Sequence, residues 1–205
     1  ARVAVNRIWQ MLFGRGLVYT TSNFGHLGAR PTHPELLDHL AISFIEGGWS
    51  VKSLMKKILL SSTYRQSSLV SSDKRIKDEE NKFYSYFKRR RLSAEMIRDS
   101  MLVVSGELEH GDSGNTSTLI SDKNNLRRTV YSRISRKELD RYLALFDYPD
   151  ANIHSSSRDE TVTPAQKLYL LNSSFVLAVN DHPYITPQEP RVSSMITIAN
   201  AVRHL

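Results

Sequence analysis

The chain has no cysteine, and this absence removes more chemistry than any other feature of its composition. No disulfide, thiolate metal site or Cys-x-x-Cys-His haem attachment can form within it. The compartment stays open, because exported and cytosolic chains can both do without cysteine. No apolar run approaches the ~20 residues that a membrane-crossing helix requires. The seven histidines (26, 33, 39, 110, 154, 182 and 204) show neither His-x-x-x-His nor His-Glu-x-x-His spacing, so no local metal signature is present. There is no Gly-x-Ser-x-Gly elbow to support nucleophilic hydrolysis, and no internal repeat.

What is present is ordinary globular material: 205 residues, 40% hydrophobic and 24% charged, enough for one sizeable core or two small ones. The chain opens on Ala1 with an apolar-periodic stretch already under way, which reads as a piece of a longer protein. Lys and Arg exceed Asp and Glu by 7, and the excess is concentrated: Lys52 to Arg98 holds 13 basic and 5 acidic residues. Such a stretch can meet nucleic acid, anionic glycan or acidic lipid, or it can be a solvated face.

The periodicity predicts a mainly α-helical fold with long loops. Val5, Ile8, Trp9 and Leu12 form one helical stripe that Gly14 and Gly16 stop, with Asn6 and Gln10 placed to pin the loop that follows. Thr32 with Glu35 reads as a capping box opening a helix at Pro34, and Gly47-Gly48 ends it. Ser50 caps a third helix whose inward set is Val51, Leu54, Met55, Ile58 and Leu59. Residues 67 to 80 read as an exposed linker, and Phe83, Tyr84 and Phe87 as a short aromatic helix.

Further on, Ser93 caps a helix with the stripe Met96, Ile97, Met101 and Val104, and residues 107 to 125 carry the composition of a disordered loop. Residues 129 to 134 predict one short extended or hairpin element. Ser135 with Glu138 and Thr163 with Gln166 read as two more capping boxes, the second opening a helix that runs through Val179. A last helix is expected around Met195 to Val202.

Several short motifs, in order, carry a resemblance. They are Val5-Asn6-Arg7-Ile8-Trp9-Gln10, Phe13-Gly14-Arg15-Gly16-Leu17, Pro31-Thr32-His33-Pro34-Glu35-Leu36-Leu37-Asp38, Gly48-Trp49-Ser50 and Thr63-Tyr64-Arg65-Gln66-Ser67. They continue through Arg89-Arg90-Arg91-Leu92, Ile97-Arg98-Asp99, Arg128-Thr129-Val130-Tyr131, Phe146-Asp147-Tyr148-Pro149-Asp150, Arg158-Asp159 and Leu170-Leu171-Asn172-Ser173. Together they resemble the planctomycete cytochrome-associated C-terminal domain, a domain of unknown function found with c-type cytochrome modules.

The resemblance covers residues 1–180 as a single helical domain, and 181–205 depart from it. It implies an exported parent protein, periplasmic or bound to the cell envelope, with haem c only in other domains and no cofactor in this chain. The partners it implies are those other domains, envelope proteins or polysaccharide, and export argues against nucleic acid. It supplies no reaction.

The residues that could carry binding are His33, Arg65, Arg90, Arg128, Asp147 and Arg158. His33 between two prolines can present its imidazole to a ligand or tie its loop to a neighbour. Tyr64 and Arg65 can hold an anion or sugar hydroxyls, or anchor a helix end. Of Arg89 to Arg91 at most two can share a face, and one could turn inward to Asp99 or Asp147. Asp147, Asp150, Asp159 and Glu160 could supply paired carboxylates for glycoside hydrolysis, or join Arg158 in an ion-pair network. The leading expectation is a non-catalytic interaction or scaffold module, with a carbohydrate hydrolase and a polyanion binder as alternatives.

Overall fold

The computed structural model describes residues 1–111, 118–122 and 124–180. Eight α-helices and no sheet occur among them, and the chain divides into two compact units, Ala1–Arg90 and from Arg91 onward.

In the first unit α1 (Arg2–Phe13), α2 (Pro34–Glu46) and α3 (Val51–Leu59) pack in sequence, α1 on α2 and α2 on α3. Their core is Val5, Trp9 and Leu12, then Leu37, Leu40 and Phe44, then Leu54 and Ile58, joined by Leu17 and Val18 from the intervening loop. α1 ends where expected, at Gly14 with φ 82°, whose N–H returns to the Gln10 carbonyl. The loop is held by Asn6, which is 0% exposed. Its Oδ1 accepts from Val18 N–H at 2.8 Å and its Nδ2 donates to the Val18 carbonyl at 3.1 Å, so one amide satisfies both backbone polar groups of a buried residue. Gly16 is required beside it: a Cβ there would lie 2.7 Å from both Asn6 Nδ2 and the Val18 carbonyl oxygen.

Several local expectations need correction. The Thr32–Glu35 capping box does not form, because the Thr32 hydroxyl and N–H both turn to the Leu17 carbonyl, and His33 occupies the N-cap without a side-chain bond. Ser50 does cap α3 through Ser53 N–H, yet Val51 is exposed. The linker contains a short helix, α4 (Ser72–Lys77), and the aromatic segment after it is not helical. There the Asp78 carboxylate takes the N–H groups of Lys82 and Phe83, Asn81 Nδ2 reaches the Tyr86 carbonyl, and Asn81 and Tyr84 adopt φ 52° and 51°. Side chains that compete for backbone donors favour turns over helix.

The second unit is built around α5 (Ala94–Ser105), capped by Ser93 and ended by Gly106 at φ 76°. A 3-10 turn (Thr129–Tyr131), α6 (Arg141–Leu145) and α8 (Ser174–Asn180) pack against α5, and α7 (Pro164–Asn172) packs against α8. The buried face of α5 is rotated from the predicted stripe: Ile97 and Met101 are inside, but Met96 and Val104 are exposed, and Arg98, Leu102 and Ser105 are buried in their place. Arg98, 1% exposed, feeds the loop carbonyls of Asn125 and Arg127 (2.8 Å to the latter), reaches Thr129 Oγ1 and sits 5.2 Å from the Phe175 ring centre. Periodicity alone cannot place an arginine inside a core.

The extended element near 129–134 is a 3-10 turn over its first three residues, followed by extended backbone at Ser132 and an Arg133 N–H bond to Thr118. Beside it Glu109 and Arg127 form one parallel bridge. Parts of the expected disordered loop are packed, with Ile120 and Asn125 buried, while 112–117 lie outside the described residues. Ser135 caps only a turn, and α6 opens later on Asp140, which accepts from Tyr142 N–H at 2.9 Å. The Thr163–Gln166 box forms completely with Pro164 behind it. Its helix stops at Asn172, because Ser173 is extended (ψ 138°), so α7 and α8 are separate. The expected helix around Met195 lies outside the described residues.

Replacing Asn6 by Ala leaves both backbone polar groups of buried Val18 unpaired. Chemical denaturation is expected to show a loss of about 2–4 kcal/mol, with Gly16→Ala destabilising through the same contact. An Asn6→Ala variant as stable as the parent would mean the loop has another anchor.

Candidate functional site

In the first unit an aromatic cluster has His33 against one of its rings, Arg90 beside Gly14 and Arg65 next to Tyr64 in the chain. Trp9 stacks on Phe13 at 4.2 Å between ring centres, Tyr84 meets both edge-on at 5.3 and 5.2 Å, and Tyr64 lies edge-on to Phe13 and Phe87 at 5.5 and 5.1 Å. Trp9 Nε1 donates to the Tyr84 hydroxyl at 2.8 Å, and Gln66 Nε2 donates to the Tyr84 carbonyl at 2.8 Å. Burial pushes the Tyr84 phenol above its ordinary pKa, opposed by the Trp9 hydrogen bond and the Arg15 charge.

His33 places its ring 5.7 Å from that of Tyr84, and its Nδ1 lies 3.0 Å from Thr32 Oγ1. Arg65 follows Tyr64 and is exposed. Arg90 is half-buried, its Cδ against Gly14 just past Phe13, while Arg89 Nε donates to Ser68 Oγ at 3.2 Å. The sequence offered no sign that Tyr84 is the centre of this group, since its left-handed backbone arises only from the Asp78–Asn81 turn.

The second unit distributes the other three among separate networks. Asp147, at φ 61°, accepts from Thr161 Oγ1 at 2.7 Å and Thr161 N–H at 2.9 Å. Arg91 Nη1 lies 3.4 Å from its second oxygen and also donates to the Thr161 carbonyl, with Phe146 beneath the guanidinium at 5.4 Å. Gln166, the residue of the α7 capping box, reaches the same carboxylate and the Leu145 carbonyl. Burial by itself would raise the Asp147 pKa, but the Thr161 hydrogen bonds, the Arg91 charge and Gln166 together hold it below the usual carboxylate value.

Arg128 lies 3.5 Å from Asp99, whose other oxygen accepts from Thr129 N–H at 2.8 Å and Thr129 Oγ1 at 2.6 Å. Arg158 bonds Glu95 at 2.8 Å over the Tyr148 ring, rather than any of its carboxylate neighbours in sequence. Asp150 accepts from Asn152 N–H at 2.8 Å in a turn of its own. Among the described residues no three His, Asp or Glu side chains are placed to hold one metal ion.

The folded-state pKa of Asp147 lies below that of the unfolded chain, so its stabilisation is fully present above about pH 4 and is lost as pH falls through the folded value. Asp147→Asn should therefore lower stability at pH 7 and flatten its decline between about pH 5 and pH 2, as read from denaturation midpoints. Parallel curves for the two proteins would show that the carboxylate is not held in its ionised form.

No curated protein and no solved structure matches the chain. One family does, the one described as PSD1, protein of unknown function (DUF1553), and its match extends over residues 1–199. The sequence motifs that shape the polar networks and the aromatic cluster lie inside that match, and the chain belongs to this family of unknown function.

Proposed function

We propose that the chain is a non-catalytic interaction module of a larger, exported, cytochrome-c-associated bacterial protein, contacting its partner through the face around His33, Arg65 and Arg90. The supporting observation is how the polar residues are used. The carboxylate best placed for chemistry, Asp147, has both oxygens taken by Thr161 and is held ionised. A carboxylate kept in that state is unsuited to act as a general acid, and this weakens the carbohydrate-hydrolase alternative. Around the first unit's aromatic cluster, by contrast, Phe13, Tyr64 and Tyr84 are only partly buried, and His33 lies against Tyr84. Aromatic and arginine side chains are the residue types that anchor protein interfaces.

A polyanion-binding reading rests on a different observation. The first unit carries 15 Lys and Arg against 7 Asp and Glu, an excess of +8, whereas from Arg91 onward 13 basic residues meet 14 acidic ones. Such binding would weaken steeply with salt, while an interface anchored on rings would depend on it less. Haem belongs to other domains of the parent in this proposal, and the partner is one of those domains or an envelope component.

Hydrogen exchange on this chain alone and within its parent protein tests the proposal. Slower exchange in the parent at residues 31–35, 63–67 and 84–90 is the expected result. Unchanged exchange there, with cleavage of an added polysaccharide that Asp147→Asn abolishes, would replace the module with an enzyme.

A further inference from the structure

A second polar feature of the first unit lies between α2 and α3, built by residues that the proposed contact face does not use. Lys57 turns its ammonium toward α2, 2.9 Å from Ser43 Oγ and 3.2 Å from His39 Nε2. An ammonium has only donors, so both neighbours accept from it, and among the described residues no carboxylate pairs with Lys57. Beside this group Ser43, Ser50, Ser53 and Lys57, backed by Phe44 and Leu54, line a notch of ≈ 30 Å³.

The size is informative. Pockets that enclose a small molecule occupy ≈ 300–1,000 Å³, so this one cannot hold a substrate. A single water needs only about 10–15 Å³, so the notch accepts the end of a ligand, a group of a few polar atoms. What the walls offer that group is one uncompensated positive charge and hydroxyls.

Trp49 does not line the notch but lies next to it, preceding Ser50 in the chain and touching Phe44. Its backbone is left-handed at φ 60°, a conformation unfavourable for a bulky residue. Its N–H bonds the Phe44 carbonyl at 2.9 Å and its ring meets Phe44 edge-on at 5.2 Å, yet the residue stays 55% exposed. A strained turn therefore holds an indole in water next to two notch residues, Phe44 and Ser50.

We infer that this notch seats a tetrahedral oxyanion, a phosphate or sulfate group, with Lys57 as its charge partner, Ser43 and Ser53 as hydroxyl donors, and Trp49 covering whatever the group is attached to. A lysine acts on such a group as a point charge and needs no bidentate geometry. The inference is independent of the contact face at His33, Arg65 and Arg90, and either can fail alone.

The two tryptophans make the test direct, because Trp9 is buried at 4% exposure and Trp49 is exposed. The whole chain is titrated with sodium sulfate, sodium phosphate, phenyl sulfate and phenyl phosphate, with sodium chloride holding ionic strength constant, while tryptophan emission and the His39 ring signals in NMR are followed. Saturable changes in both are expected. Lys57→Met should weaken them about 10-fold or more, with Ser43→Ala giving a smaller loss and Trp49→Phe removing the emission change alone. Tighter binding of the phenyl esters would identify the site as a receptor for an esterified group on a larger molecule, and equal binding would identify the free ion. A linear response like that of chloride, or unchanged affinity in a Lys57→Met variant with intact far-UV circular dichroism, would overturn the inference.

Discussion

A helical chain with this much loop must find partners for peptide groups that no helix supplies, and buried side chains provide them. A peptide group left unpaired in the interior costs on the order of 1–3 kcal/mol, so each such side chain decides whether its loop can be buried at all. Asn6 does this for Val18 in the first unit. Arg98 does it in the second, where one guanidinium gathers the Asn125 and Arg127 carbonyls and the Thr129 hydroxyl. Burial lowers the Arg98 pKa, and the Asp99 carboxylate opposes the shift. With the Phe175 ring beneath it, the cation is surrounded by acceptors on one side and a π face on the other.

The same constraint governs how many of the charged residues are used. Asp147, Asp99 and Asp78 all present carboxylates to backbone N–H groups: those of Thr161, of Thr129, and of Lys82 and Phe83. Arginines 91, 128 and 158 then meet carboxylates from other parts of the second unit. These groups look chemical in a linear reading because Asp and Arg are the residues of catalysis and recognition. In the fold they close loops. In the first unit Arg2, Arg15 and Lys82 make such pairs with Asp38 and Glu80.

Backbone strain marks the positions where loops are forced into shape. Trp49, Asn81, Tyr84 and Asp147 all have positive φ. Two of them are centres of the arrangements described above, Tyr84 of the aromatic cluster and Asp147 of the carboxylate network. Asn81 is compensated by its bond to the Tyr86 carbonyl and Asp147 by Thr161. Trp49 gains a backbone bond to Phe44 while its indole remains in water, which sets it apart from the other three.

What the sequence determined by itself is local. Helices α1, α2, α3 and α5, the glycine stops of α1, α2 and α5, the Ser50 and Ser93 caps and the complete Thr163–Gln166 box were all legible, because capping and 3.6-residue periodicity depend on residues within a turn or two of each other. The helical class followed from them. Tertiary structure decided the rest, wherever a side chain had a choice between its own helix and a distant loop. Thr32 left its capping box for Leu17, Asp78 and Asn81 turned the aromatic segment away from helix, and Arg98 displaced Met96 and Val104 from the buried face. Among the candidate site residues, Arg158 chose Glu95 over the carboxylates beside it, and His33 met a tyrosine 51 positions away. Apart from that ring contact, each outcome depends on which unpaired peptide group or opposite charge the folded chain brings within about 3 Å, and linear spacing contains no such distance.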